Sequence, residues 1–293
     1  MKKLSLTAVL LTTAIALTAC GSNDNSSNTN NAATGNNTPA ATEQASGDVT
    51  VLKVARNAVP NPPFSYVDEN NKMTGYTVEY LELVDERLEQ YEFDYEEIAR
   101  EAMLAGVEAG KYDFAANFYY RTADREAKYL FGDVEYGYSL NGIIVKEDRD
   151  DIHSLDDLQG KTLTPLSPSM GLRSFVVDYN EQHADNPIIY EDIDAITEAE
   201  AMQWVAEGKY DAFLTNKTVF ENVNKELNLP LKIATFITKE PVWVLFNQEK
   251  TELAAEFDKV TQELIEDGTL PALSEKYFGV DMFQSLEEVN AAE

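Results

Sequence analysis

The run Gly-Lys-Tyr-Asp occurs twice, at Gly110-Lys111-Tyr112-Asp113 and at Gly208-Lys209-Tyr210-Asp211. Each copy follows a helix-like stretch, Val107-Glu108-Ala109 and Val205-Ala206-Glu207, and each precedes an apolar one. Glycine suits the left-handed residue that ends a helix. Each copy therefore reads as a helix-to-strand junction, and the pair predicts two similarly built α/β lobes. Elsewhere the two periods alternate. Val51-Leu52-Lys53-Val54 reads as a buried strand, which Asn61-Pro62-Pro63-Phe64 breaks. Val78, Leu81, Val84 and Leu88 recur at helical spacing, as do Leu253, Phe257, Val260 and Leu264. Thr197 with Glu200 has the spacing of a capping box. In open α/β sheets ligands sit beyond the carboxyl ends of the strands. Residues 117–120 and 215–218, just after each Asp, are thus the first place to look for a site.

Composition excludes several classes. The net charge is −29, from 23 basic and 52 acidic residues, so nucleic acid is not an expected partner. Cys20 is the single cysteine, and the two histidines are His153 and His183. A Cys-based zinc or iron–sulfur site needs more ligands than this. No metal, cofactor or catalytic residue is expected. Gly-x-Ser-x-Gly, Gly-x-x-x-x-Gly-Lys-Ser/Thr and Gly-x-Gly-x-x-Gly are absent, and Gly137-Tyr138-Ser139-Leu140-Asn141 fails the first of them at its last position.

The chain starts Lys2-Lys3, followed by an uncharged, mostly apolar stretch to Ala19. That is the anatomy of a signal peptide, expected over 1–19. Leu17-Thr18-Ala19-Cys20 resembles the lipobox of bacterial lipoproteins, which implies acylation at Cys20. Residues 20–48 carry no aromatic and no large aliphatic side chain, so a tether is expected. Its span would be roughly 30 Å.

Asp113, Thr122-Ala123-Asp124-Arg125 and Phe131-Gly132-Asp133 resemble, in order and spacing, the bacterial extracellular solute-binding proteins of the polar amino-acid type, family 3. Further likeness lies in Pro63-Phe64-Ser65-Tyr66, Met73-Thr74-Gly75-Tyr76, Leu155-Asp156-Asp157-Leu158-Gln159-Gly160-Lys161 and Lys276-Tyr277-Phe278-Gly279. The likeness runs over about 49–283. It implies a two-lobe, type II periplasmic-binding-protein-like fold with two hinge strands. Lobe one would be 49–138 plus 247–283, lobe two 139–246, with crossings near 136–142 and 242–247 and a tail over 284–293.

The resemblance implies a non-enzymatic protein, lipid-anchored on the extracytoplasmic face. It would be a monomer that passes an amino acid or close analogue to the permease of an ABC importer. Two alternatives share the fold, a dehydratase-like enzyme and an extracellular ligand sensor. Arg125 matches the family arginine that grips the ligand α-carboxylate, a role suited to a planar guanidinium fork. Arg121 and Arg173 are its rivals. Ser169 and Met170 fall where the family offers helix-terminal N–H groups to the same carboxylate. Asn216 stands where the family has an Asp for the α-ammonium, so that charge is missing. Phe64, Phe118 and Tyr120, with Trp243, would line an aromatic pocket, and Asn61 matches an aromatic that stacks on ligand in some relatives.

Overall fold

The computed structural model describes residues 49–167 and 171–292. In chain order the strands are β1 (Thr50–Asn57), β2 (Tyr66–Val67), β3 (Met73–Thr74), β4 (Tyr91–Ile98), β5 (Phe114–Tyr119), β6 (Leu130–Phe131), β7 (Gly137–Lys146), β8 (Phe213–Asn216) and β9 (Leu231–Phe246). The helices are α1 (Tyr76–Arg87), α2 (Arg100–Glu108), α3 (Ala123–Glu126), α4 (Arg173–Gln182), α5 (Glu198–Ala206), α6 (Lys217–Leu227), α7 (Thr251–Glu266), α8 (Thr269–Phe278) and α9 (Leu286–Ala292).

The main sheet has the order β4-β1-β5-β9-β7-β8, with β6 also on β9. β4, β1 and β5 run parallel, so their carboxyl ends share one edge. The C-terminal end of β9 pairs with β5 and β6, while most of its length pairs with β7. β7 and β9 thus connect two halves of the structure, each with its own core. One half packs Phe93, Phe114, Phe246 and Phe257. The other packs Ile143, Val145, Leu163, Val176 and Leu214, and beside them Ile144, Met202, Val205 and Phe213.

The doubled motif does the same job in each half. Gly110 and Gly208 take φ of 71° and 76°, the left-handed conformation that ends the preceding helix. Asp113 accepts from the Lys53 backbone N–H at 2.6 Å, and its own N–H donates to the Lys53 carbonyl at 2.8 Å. Asp211 repeats both bonds on Thr162, each at 2.8 Å. Asp113 clasps β1 and Asp211 clasps the extended segment at Thr162, so both are structural.

The Thr197–Glu200 capping box forms as expected. Residues 284–293, expected as a tail, include α9, whose Val289 is 1% exposed. Ser285 and Glu288 make a reciprocal cap at its start, a signal legible in the spacing Ser-x-x-Glu. The Asn290 side chain accepts from the Phe236 N–H at 2.7 Å and donates to its carbonyl at 3.0 Å. Those bonds sit where the β7–β9 register shifts, between Asn141 opposite Thr238 and Gly142 opposite Phe236.

Candidate functional site

β5 delivers Phe118 and Tyr120 to the carboxyl edge of its half. Phe118 has φ of 52°, unusual for a residue with a side chain. Its N–H donates to the hydroxyl of fully buried Tyr136 at 2.8 Å, which anchors that backbone turn. The Phe118 ring lies 4.3 Å from Phe64 and 5.8 Å from Phe278, between centroids.

Ser139, on β7, is where the two halves meet. The Tyr120 hydroxyl donates to Ser139 Oγ at 2.8 Å, and Asn216 Nδ2 donates to the same oxygen. Asn216 also caps α6, its Oδ1 accepting from Thr218 N at 2.9 Å. Its acceptor is therefore committed to the helix, and what it turns toward Ser139 is a neutral donor. Phe64, Phe118, Tyr138, Ser139, Asn216 and Thr218 help to line one cavity of about 20 Å³. That holds about one water, far below the roughly 300 Å³ of a small-molecule pocket. A further bond joins the halves, from Asn222 Nδ2 to the Pro62 carbonyl at 3.0 Å.

Arg125 sits in α3, capped by Thr122. Its Nη1 donates to the Tyr120 carbonyl at 2.7 Å, and its guanidinium lies 5.4 Å from the Tyr119 ring. No carboxylate pairs with it among the described residues. Its rivals are engaged. Arg121 pairs with Glu126 at 3.1 Å and lies over Phe131 and Trp243, and Arg173 pairs with Asp192 at 3.0 Å.

Phe64, Phe118, Tyr120 and Asn216 are therefore brought together. Trp243 is not, because it packs with Phe131 and Arg121 in a separate cluster. Asn61 lines a different cavity of about 300 Å³, with Asn57, Val59, Pro60, Ala99 and Arg100. Ser169, Met170 and Cys20 lie outside the described residues. Ser139, Tyr138 and Asn222 escaped the sequence reading, because nothing local marks a crossing-strand serine or a helix-face asparagine as a contact between halves. Among the described residues no cluster of three or more His, Cys, Asp or Glu is arranged to hold a metal.

The model of bacterial extracellular solute-binding proteins, family 3, matches residues 53–280. The L-cystine-binding protein TcyA of Bacillus subtilis is 31% identical over 293 residues, covering 96% of this chain and 99% of that one. TcyK of the same organism, also an L-cystine-binding protein, is 27% identical over 281 residues, covering 95% and 97%. The crystal structure of ytmK from B. subtilis, a probable amino-acid ABC transporter extracellular-binding protein, superposes with a TM-score of 0.67 at 26% identity. It covers 79% of this chain and 99% of that one. The architecture is that of the type II periplasmic binding proteins. With a family match over most of its length, this chain belongs to the bacterial extracellular solute-binding proteins of family 3, receptors for solutes rather than enzymes.

Proposed function

We propose that the protein captures an amino acid of the L-cystine type outside the cell and passes it to the permease of an ABC importer. The observation that carries this reading is Arg125. In a chain of 52 acids its guanidinium has no carboxylate partner among the described residues, and the Tyr120 carbonyl holds it just beyond the end of β5. A ligand α-carboxylate would complete it, with Ser169 and Met170 adding N–H groups at the approach to α4. Phe64, Phe118 and Tyr120 would flank the ligand body, and Asn216 and Asn61 its polar ends. The names of TcyA and TcyK favour L-cystine within the class.

The two lobes, 49–138 plus 247–283 and 139–246, would part and close about 136–142 and 242–247. The 20 Å³ cavity supports this, since an amino acid enters only if its walls separate. Acylation of Cys20 would hold the receptor at the membrane through the tether 20–48.

Thermal melting with an amino-acid panel, with mass spectrometry of each mixture, tests the reading. L-cystine should raise the melting temperature and be recovered unchanged. Ligand at a hundred times its Kd stabilises by about 2.7 kcal/mol. A panel in which no amino acid shifts the transition overturns it. For the anchor, Cys20→Ala should move the protein out of the membrane fraction, and a variant processed and retained as before refutes acylation.

A further inference from the structure

The sequence has seven arginines. Arg56, Arg87, Arg121, Arg149 and Arg173 each have a carboxylate within 3.1 Å. The other two, Arg100 and Arg125, have none among the described residues. An exposed arginine without a partner is ordinary by itself. Here acids outnumber bases more than twofold, and the two exceptions fall on the same edge of the same sheet.

Arg100 opens α2, directly after β4, and Arg125 follows β5. β4, β1 and β5 are parallel neighbours, so both side chains start from the shared carboxyl edge. Two strand spacings separate β4 from β5, about 10 Å. Tyr119, at the end of β5, feels both cations. Burial holds its phenol up at about 12 although the charges of Arg100 and Arg125 both lower it.

The setting of Arg100 suits an anion. A cation in the first turn of a helix opposes the helix dipole. The N-cap residue is Ala99, which supplies no side-chain acceptor to that turn. A bound carboxylate would neutralise Arg100 and take up helix N–H groups as well. The space is there, because Arg100 lines the 300 Å³ cavity with Asn57 and Asn61.

We propose that Arg100 and Arg125 form a two-point receptor for a ligand with a carboxylate at each end, Arg125 taking one and Arg100 the other. This rests on the amino-acid reading and narrows it to molecules built like two amino acids joined through their side chains. Asn57 and Asn61 would lie beside the distal end.

Calorimetry with L-cystathionine, which has two amino-acid ends, and S-methyl-L-cysteine, which has one, tests it on the wild type, Arg100→Gln and Arg125→Ala. A charge-assisted contact is worth roughly ten- to a hundred-fold in affinity. The wild type should prefer L-cystathionine by about that factor. Arg100→Gln should abolish the preference and leave S-methyl-L-cysteine binding unchanged, while Arg125→Ala should weaken both. Equal wild-type affinity for the two probes, or an Arg100→Gln variant that keeps the preference or weakens both equally, overturns the two-point receptor. In the first of those cases the amino-acid reading stands. If the wild type binds neither probe nor any member of the amino-acid panel, both fall.

Discussion

Arg125 donates through Nη1 to the carbonyl oxygen of Tyr120 at 2.7 Å, a bond from a side chain back to the strand end that precedes it. Arginine has five N–H donors. One bond fixes the plane of the group and leaves other donors for a ligand. The cost of ordering a long side chain is then met before the ligand arrives.

Arg125→Ala should weaken amino-acid binding by roughly thirty-fold to several thousand-fold, from about 2–5 kcal/mol for one half of a buried charge pair at about 1.4 kcal/mol per tenfold. Its melting temperature without ligand should match the wild type. Arg121→Ala should bind nearly as the wild type does, because Arg121 is engaged by Glu126, Phe131 and Trp243. Calorimetry on the pair separates these outcomes, and equal affinity for wild type and Arg125→Ala removes Arg125 from the site.

Asn216→Asp preserves the α6 cap, since Asp and Asn cap about equally well. It replaces the donor facing Ser139 with a charged acceptor. Affinity for L-cystine should rise about tenfold if its ammonium reaches that carboxylate. Dithiodipropionate, which lacks ammonium groups, should bind more weakly to the variant. Weaker L-cystine binding by Asn216→Asp would show that the ammonium is served elsewhere.

Asn290→Ala should lower stability by about 1–3 kcal/mol, because it strips partners from both the N–H and the carbonyl of Phe236, a residue 3% exposed. The melting temperature should fall by a few degrees. Unchanged melting would mean that α9 contributes nothing to the crossing strands.

Glu198 sets a pH dependence. Burial raises its pKa above the ordinary 4.5, and the Thr215 hydroxyl, which donates to it at 3.1 Å, only partly opposes that. The folded chain then holds this proton more tightly than the unfolded chain does. The resulting loss of stability grows as pH climbs from the unfolded value through the raised one. Glu198→Gln, which keeps an acceptor for Thr215, should be more stable than wild type at pH 7. Its advantage should vanish near about pH 4. Denaturant melts at the two pH values check this, and an advantage independent of pH excludes titration as its cause.

Local chemistry made much of the fold legible. Glycine at a helix end, a Thr-x-x-Glu cap and apolar residues at helical spacing act within a few residues of chain, so the boundaries near α1, α5 and α7 and both Gly-Lys-Tyr-Asp junctions could be read directly. The Ser285–Glu288 cap is equally local, and its Ser-x-x-Glu spacing marks a helix where a tail is expected.

The amino-acid order by itself determined the alternation of elements, the duplicated clasp residues, the acidic surface and the family pattern around Arg125. Only the tertiary structure decided which neighbours those residues keep. It put Ser139 between Tyr120 and Asn216, and Trp243 against Arg121. It also left Arg100 and Arg125, on one sheet edge, as the two arginines without an acid partner among the described residues. Each of these relationships joins chain segments brought together by sheet order and by the β7–β9 crossing. Partner choice across such distances is set by packing and electrostatics in the folded chain, and no local pattern encodes it.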